Sequence, residues 1–187
     1  MAWQSKYNAF GTEPLIRQMF AILQRDIQAA LDFQSGVPGS LPPFVSYHLA
    51  ESAIHQYPAI LLVADSIPCS FDETGLLHES PPLTCILQVA HQDPNQCAIW
   101  VQQYAMAVWM VWATAFEATT SDFYAEGLAL PASAYGNGQV TEGLTPGILD
   151  TLHITRPEFG ELRTAKSLFV KAAGMGIQVG MSEPAAY

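Results

Sequence analysis

Residues 98–116 constrain this chain more than any other stretch. They are nineteen consecutive residues without a charge, and they hold Trp100, Trp109 and Trp112 together with Tyr104, Met106, Met110 and Phe116. Just upstream, Asp93 precedes Pro94. An acceptor side chain at the N-cap followed by a residue preset for the first turn is a helix start. A helix is therefore predicted from Pro94 to about Ala118. Its length just reaches what a bilayer crossing needs. Three features oppose a crossing. Gln102 and Gln103 fall inside the run, the tryptophans are not confined to its ends, and no Lys or Arg lies nearby to set orientation. The reading is a buried helix, one side packed on a sheet and the other covered by a neighbouring element or subunit.

The rest of the chain supplies that sheet. Leu15, Ile16, Met19, Leu23, Ile27, Ala30 and Leu31 recur at spacings of three and four, an amphipathic helix over residues 12–31. Two Gly and three Pro in residues 35–43 end it. A short strand is expected near residues 44–49. The segment YPAILLVAD, residues 57–65, is apolar on both alternating faces, as a central strand is. Residues 66–82 are polar and proline-containing and read as a loop or excursion hairpin. LTCILQVAH, residues 83–91, is the next strand. Residues 119–145 are irregular, with Gly127, Pro131, Gly136, Gly138 and Gly143. A connection of that length is usually functional or an interface element. Strands at residues 152–158 and 163–173 close the chain, and residues 174–181 extend the second past a glycine kink. The expected fold is a single α/β (α+β) domain over residues 1–187. It has one sheet of four to five mostly antiparallel strands, with two main helices packed on it.

Charge narrows the function. Seven basic and seventeen acidic residues give a formal net charge of −10, and no Lys or Arg occurs between Arg25 and Arg156, a stretch carrying thirteen acids. A general nucleic-acid binder needs a basic face to displace phosphate counterions, and this stretch has none. Three cysteines, an odd number, with no secretion signal at Met1 imply a reducing, intracellular setting rather than a disulfide scaffold.

Catalytic and metal signatures are sparse. Cys69, His78, Cys85, His91 and Cys97 alternate, but none shows the two-residue separation of common zinc pairs. His91 and Asp93 could serve as a base and its orienter, although Asp93 already has a capping task. No G-x-S-x-G elbow or phosphate loop is present, and Gly174, Gly176 and Gly180 do not match a dinucleotide fingerprint. No catalytic residue, metal or cofactor is assigned. The long helix is apolar nearly all round, and exposed apolar surface of that kind marks subunit contacts. Trp100, Trp109 and Trp112 are the candidate contact residues.

The order of elements resembles the tail terminator and tail-completion (neck) proteins of long-tailed bacteriophages. The resemblance runs through EPLIRQMFAILQRDI, YPAILLVAD, LTCILQVAH, PNQCAIWVQQYAMAVWMVWATAF, LHITRPE and RTAKSLFVKAAGMGIQV. It implies a non-catalytic virion protein at the head–tail junction, with six copies in a ring that ends the tail tube and docks on the neck or connector. Residues 66–82 would be an arm reaching a neighbour. DNA would pass through such a ring without specific binding. Acids facing the lumen would repel it, with Asp72, Glu73, Glu79, Asp122 and Glu126 as candidates. Arg156, Arg163, Lys166 and Lys171 would face an acidic partner or a neighbouring subunit. The alternatives are a head-closure or adaptor protein of the neck, and a small ligand-binding domain or enzyme with a pocket near His91.

Overall fold

The computed structural model describes residues 12–48, 54, 56–64, 66, 69–71, 73, 77–117, 148–165 and 167–183. Helix α1 spans Thr12–Ser35 and helix α2 spans Pro94–Glu117. Strand β1 is Ser46–His48, β2 Ala59–Ala64, β3 Cys69–Phe71, β4 Leu77–Glu79 and β5 Pro82–His91. After α2 come β6, Ile148–Ile154, β7, Glu158–Phe159, β8, Arg163–Ala165, and β9, Leu168–Glu183.

These strands form one sheet of α+β type. The order is β1-β2-β5-β9-β4-β3, and β6, β7 and β8 line the opposite side of β9. Only the β1–β2 pair is parallel among the described residues. Nine strand segments occur among the described residues where four to five were expected. The excess arises because β3 and β4 lie in the stretch read as a loop or excursion hairpin, β6 and β7 divide the strand expected at residues 152–158, and β8 and β9 divide the one expected at residues 163–173. β4 and β5 are one track along β9, interrupted at Ser80 and Pro81, and β6, β7 and β8 are pieces of a second.

Alternation decides what faces the helices. Leu62 pairs with Cys85 and Cys85 with Met175, all buried, and Ile60, Leu87 and Ala173 repeat the pattern one register step away. Side chains directly opposite each other project from the same face. One face of β2, β5 and β9 therefore supplies the floor of the core. α2 lies on β5 and β9, and α1 packs against α2. α1 also reaches β1, where Phe20 meets Tyr47 edge-on with ring centroids 5.4 Å apart. Leu15, Met19, Leu23, Ile27 and Leu31 are its buried stripe, as their spacing required.

The helix ends follow local chemistry. Asp93 Oδ1 accepts from the Asn95 and Gln96 backbone N–H groups at 2.7 and 3.2 Å, the cap expected for α2. α1 runs four residues past its expected end. Gly36 stops it with φ +68° and an N–H donated to the Asp32 carbonyl at 3.0 Å.

Three strand expectations are corrected. The single strand at residues 163–173 is instead a hairpin, because Ala165 pairs with Leu168 and the chain reverses between β8 and β9. The expected glycine kink after residue 173 is absent, and β9 continues unbroken to Glu183. The strand expected at residues 152–158 begins earlier, at Ile148, and stops at Ile154. Residues 119–145, read as an irregular insertion, lie outside the described residues.

Candidate subunit interface

α2 divides its tryptophans. Trp112 is fully buried and its Nε1–H donates to the Met19 carbonyl at 3.0 Å, so it belongs to the core between the helices. Trp100 is half-buried and stands edge-on to His91, with centroids 4.6 Å apart. Trp109 is 38% exposed. It continues a stripe with Ile99, 47% exposed, Gln102 and Met106, 40% exposed, at spacings of three and four residues. One line along α2 thus remains open to solvent while the remaining faces are packed. The exposed side carries more apolar surface than a solvated helix face ordinarily does.

Beside that stripe the sheet projects beyond the helices. Ile154 pairs with Ile177 and Phe159 with Ala173, so both stand on the helix-side face of the sheet. Phe159 nevertheless remains exposed. Between α2 and the end of β6 lies a groove of about 740 Å³, with Met106 and Trp109 as one wall and residues 153–157 as the other. Its apolar surface comes from Met106, Trp109, Ile154 and Pro157. Its polar rim carries His153 and Arg156. Arg156 is exposed and has no ion-pair partner among the described residues. The Thr155 N–H donates to the Gly176 carbonyl at 2.8 Å and the Gly176 N–H donates to Thr155 Oγ1 at 2.8 Å. Those bonds fix the wall on β9.

The other sequence candidates fall elsewhere. Glu73 is an exposed turn residue, and Glu79 ends β4, paired to both Cys69 and Met181. Asp72, Asp122 and Glu126 lie outside the described residues, as does Lys166. Within residues 66–82, β3 and β4 pair as an antiparallel hairpin held to the sheet through β9.

The Cys and His set does not converge. No group of three or more His, Cys, Asp or Glu placed to hold a metal occurs among the described residues. Cys85 lies in the core, where desolvation pushes its thiol well up. Burial also raises Cys97, whose thiol donates to the Phe169 carbonyl at 3.3 Å. Hydrogen bonding to the Lys171 and His91 backbone and the Lys171 charge offset that rise only in part. His91 Nδ1 accepts the Asp93 N–H at 2.9 Å, so this imidazole helps to close the α2 cap. No helix among the described residues is long and apolar enough to cross a membrane.

The groove escaped the sequence reading because its walls, Trp109 and residues 153–157, are far apart in the chain. Of its lining, the sequence reading named Trp109 and Arg156, without bringing them together.

No family model and no curated protein matches the chain. Among solved structures, a chain from the virion of a native gene transfer agent particle is similar to it at a TM-score of 0.47 and 12% identity. That match covers 90% of this chain and 94% of the other.

Proposed function

We propose that this chain is a structural virion protein of the tail-terminator kind. Copies of it form a ring of six at the head–tail junction, which ends the tail tube and joins it to the neck. The observation that carries the reading is the apolar stripe of Ile99, Met106 and Trp109 beside an open groove. A monomer gains nothing from leaving such surface in water, whereas a subunit contact buries it. The long stretch without Lys or Arg suits a lumen through which DNA must slide, since bound phosphates would hold it. Glu73 and Glu79 are assigned to that lumen, and Asp72, Asp122 and Glu126 are the further acids that the sequence offers for it.

Purified protein mixed with duplex DNA at low salt tests the passage role. No shift in mobility is expected. Tight, salt-sensitive binding would mean a DNA-gripping surface built on Arg163, Lys166 and Lys171. Binding to isolated tail tubes rather than to the connector alone separates a terminator from a head-closure adaptor. A second reading follows from the size of the groove, which lies in the range of small-molecule sites. A protein that stays monomeric and gains thermal stability from a small apolar ligand would favour it.

A further inference from the structure

The same chain that carries an open apolar groove also carries an apolar projection. Phe33 is 72% exposed and Val37 is 59% exposed, on either side of the Gly36 turn that ends α1. Neither touches the groove of its own chain. Asp32 lies at the base of this knob. Its Oδ1 accepts the Gly39 N–H and the Gln28 side-chain amide, both at 2.8 Å, which braces the turn. Its Oδ2 has no partner among the described residues. The knob therefore presents an aromatic ring, a Val and an available carboxylate oxygen. The groove presents Trp109, Met106, Ile154 and Pro157, with the Arg156 guanidinium, which has no ion-pair partner among the described residues, at its rim.

Building on the ring reading above, we propose that the occupant of the groove is the Phe33–Val37 knob of a second copy of this chain, with Asp32 facing Arg156. The two surfaces match in both chemical respects, apolar against apolar and anion against cation. The charge match matters because two copies of net charge −10 repel each other at long range. A contact placing one of the few cations against an acid of the neighbour opposes that repulsion locally. A knob on one surface and its socket on another make a heterologous contact, and repetition of such a contact about an axis closes a ring.

The test uses two exposed positions whose loss should leave the fold intact. Phe33→Ala removes the knob and keeps the groove. Arg156→Glu spoils the groove and keeps the knob. Each variant alone should sediment as a folded monomer at concentrations where the unchanged chain is assembled. The loss in self-association is expected to be at least about tenfold. Mixed in equal amounts, the two variants share one intact contact, so they should form a one-to-one heterodimer that does not grow. If the unchanged chain assembles and both variants assemble as well as it does, the knob-and-groove contact is overturned while the ring reading stands. If the unchanged chain is monomeric at every concentration, both fall.

Discussion

Tyr104 illustrates how one side chain on α2 ties three parts of the molecule. It is buried, its ring lies 5.1 Å from that of Phe44, and its hydroxyl donates to the Pro42 carbonyl. Burial favours the neutral phenol, so its pKa is raised from the ordinary 10.0. A group whose folded-state pKa is raised contributes stability that is fully present below its unfolded value. That contribution is lost as pH climbs through the folded value. Stability should therefore fall above about pH 10, where the unfolded phenol ionises and the buried one resists. Tyr104→Phe should flatten that alkaline limb. It should also cost about 1 kcal/mol at neutral pH, because the Pro42 carbonyl loses its donor. Urea titrations of both proteins at pH 7 and pH 10.5 check this. An unchanged alkaline slope would mean that another tyrosine governs it.

The tryptophans show what was legible at this scale. Their different directions around α2 follow from 3.6-residue periodicity, and so did the inference that one core face could not take all three. Which one faced solvent depended on where α1 packed, and a helix apolar on every side does not disclose that. Trp112→Ala should lower stability by about 3–5 kcal/mol, since it empties a core site. Trp109→Ala should leave the unfolding of the isolated chain within about 1 kcal/mol of the original and weaken assembly instead. Chemical denaturation paired with sedimentation separates the two. A large loss of monomer stability at Trp109 would place it in the core energetically.

Among the elements, those with local start and stop chemistry were readable. Asp93 and Pro94 announced α2, and YPAILLVAD announced β2. The reversal between β8 and β9 was not readable, because no Gly, Asn or Pro marks it. β9 was read as kinked at its glycines for the opposite reason. All three sit in one extended strand, where Gly174 pairs with Ile86 and Glu158, Gly176 with Thr84 and Gly180 with Thr151. At Gly180 the missing side chain has a packing reason. A Cβ there would meet Thr151 Oγ1 at 2.5 Å, beside the bulge where β6 shifts register between Leu149 and Thr151. Gly180→Ala should destabilise the β6–β9 pairing by roughly 1–3 kcal/mol, as overpacking does. Adding Thr151→Ala should restore most of that. Thermal melts of the single and double variants give the answer. A double variant no better than the single one would show that backbone strain, rather than this contact, sets the cost.

For the whole molecule, the sequence patterns specified one sheet with two helices on it. They did not specify that the sheet would outrun its helices on the β6 side. That overhang depends on the register of β6 and β7 against β9, which pairs Ile154 with Ile177 and Phe159 with Ala173. It leaves the groove beside Trp109, and the ring reading stands on that surface. The central claim is that copies of this chain bury it against one another. Sedimentation velocity of the purified chain across a hundredfold range of concentration tests this most directly. The account predicts a closed species of defined mass, a multiple of the 20.3 kDa chain, with a central channel in negative-stain images of the same sample. A single monomer boundary at every concentration would contradict it.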